Sequence, residues 1–469
     1  MRRNRSTTLS TVALAAVGLL GLAGCDVDVP DLNNPGLDEL EDDPTATKVG
    51  AAATGLLIGA RTGTSGPATG YIAQLGVVGR ESYNFDPADP RNISELLEGS
   101  LNPASPFGGA FWTPVYTNMR LGDIILRAKD NVVDWDEAQK SATSGFVKTI
   151  RALDLLRVIT TRDDIGAVID TDHEIDVLGA LVSKEATLAE IARLLDESAE
   201  ELAAGGDAFP FPLSSGFAGF DAPAGGFLSF NRALRARTAI YQEDYDTAVD
   251  LLTPPDADTP APAFIDDAAT TVDDLEVGVY HSFGTGSGDV QNGLLNVNLY
   301  AHPTVLPEAE EGDDRAARKL VADQPETAAR GISSTVKFTI YTEPNAPVPI
   351  IRNEDLILLR AEARLFTGDL AGAEADINLV RDVSGQLAPV TGLSEAELED
   401  QLLYERRYSL LYEGHRLIDL RRFGRLDELP IDEPTGDNNP HGLNIRWPLP
   451  SAECDARPGQ APCAIGSRP

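Results

Sequence analysis

Apolar side chains recur at three- and four-residue spacing through most of this chain, and that spacing predicts helices. Trp112 to Lys129 sets Trp112, Val115, Tyr116, Met119, Ile124 and Leu126 along one stripe. Asp136 to Thr160 continues with Phe146, Val147, Ile150, Leu153, Leu156 and Val158, and a further helix runs from about Leu188 to Ala204. Thr45 or Thr47 is placed to cap an earlier helix that ends near Ala60. Residues 61–111 break the pattern: Gly, Pro, Ser and Asn are frequent there and Tyr71, Tyr83, Phe85, Phe107 and Phe111 are scattered. That stretch reads as a long irregular excursion, and long ordered loops are where binding residues concentrate.

The most regular stretches resemble each other. Phe227 to Leu252 contains Arg235-Ala236-Arg237 and then Asp244-Tyr245 and Ala248, while Leu356 to Val383 contains Arg360-Ala361-Glu362 and then Asp369-Leu370 and Ala373. Aligning Ala236 with Ala361 sets Tyr241 on Phe366, Asp244 on Asp369, Tyr245 on Leu370 and Ala248 on Ala373. One helical hairpin is thus used twice, with a small residue at the helix crossing, an aromatic closing the first helix and a polar turn opening the second. These are the mechanics of a tetratricopeptide-like unit. A weaker copy runs from Arg151-Ala152-Leu153 to Arg162-Asp163. The copies follow no fixed period, so insertions separate them. The main one, residues 253–350, is rich in proline and aspartate and holds extended segments at Leu294 to Tyr300 and Val336 to Thr342. Glu395 to Phe423 is again helical, and the tail after Leu429 is loop. The fold expected is mainly α, a scaffold of tetratricopeptide-like helical hairpins with long irregular insertions and a little β.

The N-terminus has a different character. Arg2, Arg3 and Arg5 precede an apolar stretch from Val12 to Ala23 that is shorter than a membrane span, and it closes on Leu22-Ala23-Gly24-Cys25. Residues 1–24 therefore read as a lipoprotein signal peptide, with Cys25 the lipidated first residue of the mature chain. Multiple acyl chains on one cysteine hold a protein at a bilayer without any apolar protein segment, since each buried methylene contributes about 0.8 kcal/mol. Residues 25–44 read as an acidic tether, and 45–469 as a single helical domain. The membrane is reached through the lipid alone.

Charge narrows the function. Asp and Glu number 74 against 38 Lys and Arg, for a net charge of −36. A nucleic-acid partner is excluded, because neutralising phosphates needs a basic surface. With Cys25 acylated, Cys454 and Cys463 are an even pair in an oxidising compartment, so a disulfide is expected, worth roughly 2 to 3 kcal/mol. Two cysteines with no histidine nearby are too few ligands for zinc. No metal or cofactor is expected.

Enzyme signatures are missing. There is no G-x-S-x-G, and His173-Glu174 lacks the second histidine of H-E-x-x-H. Asp266, Asp267, Asp273 and Asp274 do not have the spacing of the twelve-residue calcium loop. The densest charged run holds Glu405, Arg406, Arg407, Glu413, Gly414, Arg416, Asp419 and Arg422. At helical spacing Arg416 meets Asp419 and Asp419 meets Arg422, so these charges read as an ion-pair network between two helices, with Gly414 allowing a close turn.

Residues 405–422 resemble the C-terminal signature of the SusD/RagB family of outer-membrane nutrient-binding lipoproteins, roughly E-R-R-x-E-L-x-x-E-G-x-R-x-x-D-L-x-R, departing from it at Ser409. Arg360-Ala361-Glu362-Ala363 followed by Ile377-Asn378-Leu379-Val380-Arg381 is similar to the family's helix pair, and Pro448-Leu449-Pro450 with Glu453 to its closing element. Residues 253–350 carry no family motif and would be its variable insertion. The resemblance implies a non-enzymatic protein, anchored by lipid in the outer membrane and facing the cell exterior. It would capture oligosaccharides or peptides and pass them to a TonB-dependent, SusC-like transporter. The alternative reading is a helical-repeat lipoprotein that binds another protein in the periplasm. Sugar sites offer aromatic faces among polar groups. Tyr83, Phe85 and Tyr300, in irregular segments, are the candidate ligand-binding residues, whereas Trp112 and Tyr116 occupy helix positions that the family uses for packing and are assigned to the core.

Overall fold

A computed structural model of the chain describes residues 37–173, 177–253, 263–287 and 289–458. Its frame is a procession of helices, most of them packed on a chain neighbour. Helix α1 (Ala46–Arg61) begins at Thr45, whose side chain accepts the Lys48 N–H. A short, almost wholly buried helix, α2 (Tyr71–Val78), lies inside the stretch read as irregular. Then come α3 (Thr113–Ala128), α4 (Glu137–Arg162) and α5 (Lys184–Ala203). Asp136 and Gln139 form a reciprocal capping box that starts α4. Helix α5 starts four residues before Leu188, because Ser183 caps it. In the stretch read as a tether, Leu37–Asp42 forms a short helix.

The repeated hairpin is present in both copies. Helices α6 (Leu228–Gln242) and α7 (Tyr245–Leu252) make the first, and α8 (Asn353–Phe366) and α9 (Leu370–Val383) the second. Asp244 and Asp369 cap the second helices, accepting from Thr247 N and Gly372 N. The residue before each cap turns left-handed, Glu243 at φ 60° and Gly368 at φ 85°. Ala236, Ala248, Ala361 and Ala373 are completely buried, which is what lets the backbones approach. The copies dock through rings: Tyr245 stacks on Phe366 with centroids 4.8 Å apart and planes at 25°. Asp369→Ala should lower stability by about 1 kcal/mol, the usual loss on removing a cap. Chemical denaturation measures it, and an unchanged midpoint would show the turn to be held by packing alone.

The closing region is two helices. After α10 (Glu395–Ser409) the chain turns through Tyr412, at φ 61°, and Gly414, at φ 89°, into α11 (Arg416–Arg422). A side chain at Gly414 would bring its Cβ to 3.0 Å from the Tyr71 ring, so this turn admits only glycine. The insertion supplies little β structure. Strand β1 (Ser82–Asn84) pairs antiparallel with β3 (Leu299–Ala301), and β2 (Gly278–His281) with β4 (Val348–Arg352). The extended segments expected at Leu294 to Tyr300 and Val336 to Thr342 shrink to β3 and to Lys337–Phe338, which pairs with Leu320–Val321.

Charges of the 405–422 run bind the helices to one another. Arg406 holds Asp419 through two hydrogen bonds of 2.8 and 3.0 Å and lies 3.3 Å from Asp355. Arg422 grips Glu362 on α8 and also Asp419, at 3.1 Å. Glu405 takes Arg381, at 2.7 Å, and Arg315, while Glu413 takes Arg352 at 2.8 Å and Arg407 meets Glu308 at 2.6 Å. The pairing expected between Arg416 and Asp419 does not form. Asp419 is already occupied by two arginines, and Arg416 turns to Glu428 at 3.7 Å.

Candidate ligand-binding groove

The structure brings Tyr83, Phe85 and Tyr300 together, but inside the molecule. Pairing of β1 with β3 sets Tyr83 opposite Tyr300, and the Phe85 ring lies 5.4 and 5.6 Å from theirs. All three are at most 5% exposed. Tyr83 donates to Asp432 at 2.6 Å, and the Tyr300 hydroxyl accepts from Thr327 at 2.7 Å. A ring that stacks on a sugar must offer a face, and these faces are spent on each other and on His302, 4.8 Å from Tyr83. This corrects the expectation for the three residues: β pairing turns their irregular segments inward, and here they are core.

A site of ligand size lies elsewhere. A groove of about 880 Å3 runs between α1, the first two turns of α3, the loop that follows strand Ala167–Val168 and the C-terminal helix α12 (Ser451–Ala456). Pro114 starts α3 there, where its missing N–H costs nothing. Trp112, just before that helix, and Tyr116, one turn on, meet with ring centroids 4.6 Å apart. Thr113, Pro114 and Thr117 stand exposed beside them. Asn118, Arg120 and Leu121 continue the wall, and Val177 and Leu178, each about half exposed, overhang from the loop.

The aromatics are fixed by bonds from three directions. The Trp112 indole donates to Glu453 at 3.3 Å, and Glu453 is itself held by Arg457 at 2.6 Å. The Tyr116 hydroxyl accepts the Val168 N–H at 2.8 Å. Behind Trp112, the fully buried Arg162 sits 5.4 Å from the ring centre and donates to Ala110 O at 2.5 Å. Burial pulls its guanidinium down to about 9, still charged at neutral pH. The loop is pinned by Arg120, which donates to Thr171 O at 2.6 Å and also to His173 O. Asn118 bonds Asp154 at 2.6 Å and Leu56 O at 3.2 Å, tying α3 to α4 and α1. Burial pushes the Asp154 carboxyl up to about 7. Half-buried Tyr116, backed by the buried Trp112 and flanked by exposed Thr113, Pro114 and Thr117, lines a groove whose hydroxyls, amide and guanidinium can hold a polar ligand with apolar C–H faces.

The sequence assigns Trp112 and Tyr116 to the core, and Trp112 is indeed 5% exposed. What that reading misses is their place at a helix start, with threonines at the same four-residue spacing on the open side. Cys25 and Cys463 lie outside the described residues; Cys454 is on α12. The acidic insertion residues are engaged locally, Asp267 with Arg360 at 2.9 Å and Asp274 with the Thr270 and Thr271 N–H groups. Among the described residues no three His, Cys, Asp or Glu side chains are set to hold a metal, and no helix is long and apolar enough to cross a membrane.

Helical hairpins stacked into one scaffold define a tetratricopeptide-like helical fold, and comparison with known proteins sharpens that class. Residues 330–457 match the model of the SusD family. A SusD-like protein of Formosa agariphila is 32% identical over 152 residues, which span 30% of this chain and 29% of that protein. Among solved structures, a SusD-like carbohydrate binding protein from Bacteroides fragilis superposes with a TM-score of 0.65 at 14% identity, covering 88% of this chain and 98% of that one. Surface glycan-binding protein A from Bacteroides fluxus gives 0.60 at 14%, covering 90% and 98%. A laminarin binding SusD-like protein gives 0.58 at 17%, covering 88% and 98%. At such identities the likeness is one of fold. The resemblance to the SusD/RagB family read from residues 405–422 is thus borne out, and so is the mainly helical, tetratricopeptide-like fold it implied.

Proposed function

We propose that this chain is a lipid-anchored binding protein of the outer membrane that captures oligosaccharides and passes them to a TonB-dependent, SusC-like transporter. The observation that carries the reading is the groove at the start of α3, where Trp112 and Tyr116 meet among hydroxyl, amide and guanidinium groups. Glycan binding by the named structural neighbours supports a sugar as its occupant. The lipoprotein signal ending at Cys25 supports the anchor, facing the exterior, and the family match supports a partner barrel. Residues 45–469 would act as one unit, with 253–350 as the insertion particular to this chain. Capture and transfer of a ligand require no step of catalysis.

The test is a glycan and peptide array probed with the full chain in detergent, followed by titration of the best ligand. Tyr116→Ala should weaken binding by about 1 to 3 kcal/mol, as loss of an aromatic anchor does. Tyr83→Ala should cost stability and leave the affinity of the folded protein unchanged. The opposite pattern, binding lost with Tyr83 and kept without Tyr116, would move the site to the insertion. An array bound only through peptides would replace the sugar by a peptide in the same groove.

A further inference from the structure

Arginine in this molecule is almost always neutralised. Among the described residues, only Arg120, Arg157 and Arg162 lack a carboxylate within 4.0 Å, although the chain has 74 acidic side chains to 38 basic ones. Two of the three adjoin one groove. Arg162 is sealed behind Trp112 and donates to Thr161 and to Ala110 O. Arg120 lines the wall and is half-buried. One of its nitrogens, Nη1, anchors the loop through Thr171 O and His173 O, and Nε and Nη2 make no hydrogen bond among the described residues.

Among the described residues, the acids nearby do not cancel these charges. Glu453 is held between Arg457 and the Trp112 indole. Asp170, on the rim, is exposed and accepts the Asp172 N–H, and Asp172 is paired with Arg127. His173 adds a ring that donates or accepts at the same wall. A cation with an apolar wall behind it and no counter-ion keeps its field, whereas one facing a carboxylate in water does not. In a chain of net charge −36, Arg120 is, among the described residues, the groove-lining arginine that no carboxylate neutralises.

From this charge pattern we infer that the groove takes an anionic glycan, one whose sugars carry carboxylate or sulfate, and that Arg120 meets the charge through its free Nε and Nη2. The inference rests on the groove being the glycan site proposed above. Planar guanidinium suits both groups, since each offers paired oxygens at the spacing of the fork.

The experiment titrates the full chain in detergent with fragments of polygalacturonate, alginate and a sulfated galactan, each beside its carboxyl-reduced or desulfated counterpart. An anionic fragment should bind at least about tenfold more tightly than its neutral counterpart at low salt, with the gap narrowing as salt rises. The series that shows the gap tells carboxylate from sulfate. Arg120→Gln should erase most of the gap without altering the melting temperature, and Arg120→Lys should restore part of it. Equal binding of charged and neutral fragments overturns the inference and leaves glycan capture standing. Binding weakened equally for both by Arg120→Gln reduces Arg120 to a loop anchor and overturns it too. Failure of every fragment to bind overturns this inference, while the glycan reading stands or falls by the array.

Discussion

Arg406→Ala should destabilise the protein by about 3 to 5 kcal/mol, the range for removing one partner from a buried ionic group. Arg406 is 2% exposed and serves two carboxylates, Asp419 through a paired hydrogen bond and Asp355 at 3.3 Å. Burial alone would raise both acids, yet the cations facing them hold both below the ordinary range: Arg237, His415 and Arg406 for Asp355, and Arg406 and Arg422 for Asp419. Removing the guanidinium leaves two charges in the interior with one arginine each, Arg237 and Arg422. Arg193, half exposed on α5 and paired with Glu190 and Glu197, is the control, and Arg193→Ala should cost less than about 1 kcal/mol. Urea unfolding at neutral pH measures both. An Arg406→Ala protein as stable as the Arg193→Ala one would mean that the network contributes register and not stability, as some buried ion pairs do.

The same network shows how far the sequence carries. Its reading as a structural charge cluster comes from helical spacing alone, and spacing correctly pairs Asp419 with Arg422. Spacing fails for Arg416, because helix neighbours compete with residues from other helices: Arg406 lies across the turn and reaches Asp419 first. Helices α1 and α4 and the second helix of each hairpin, α7 and α9, are legible for a local reason, since the side chain that caps each one touches its own first turn. Helix α2 is not, because it is buried on nearly every side and a helix apolar all round has no stripe to read.

The groove was the least legible part. Tyr83 and Tyr300 are far apart in sequence, and only the pairing of β1 with β3 reveals that their segments close on each other. Loop composition suggested exposure; strand pairing supplied burial. Conversely, Trp112 and Tyr116 carry the periodicity of a core stripe, and no local signal says that Thr113, Pro114 and Thr117 beside them face a groove. Whether a helix face meets protein or open space is settled by elements remote in the chain, so periodicity marks an apolar face without saying what fills it.

Glu81 offers the second large effect, with pH as its handle. Its side chain is buried beside the Leu410–His415 turn, and among the described residues its only hydrogen bond is from the Tyr412 N–H at 3.2 Å, the other carboxyl oxygen having none. Burial pushes the carboxyl up to about 8, with Tyr412, Arg416 and Arg407 opposing. Below its ordinary value of 4.5 it is protonated in folded and unfolded chains alike, and pH has no leverage. Between there and about 8 the unfolded chain ionises while the folded chain keeps its proton. The folded state then binds more protons, so stability falls as pH rises. Glu354 works the other way: burial raises it, but Arg352 and Lys319 outweigh burial and hold it at about 2, so its contribution is present above the ordinary value and lost only as pH falls through about 2. Glu81→Gln removes the alkaline loss while keeping an acceptor for Tyr412. The variant should match the parent at pH 4.5 and exceed it at pH 8 by on the order of 3 kcal/mol. Melting temperatures of the two proteins at both pH values test this. Parallel curves across the range would show that Glu81 is ionised in the folded chain, its charge neutralised by Arg416 and Arg407 after all.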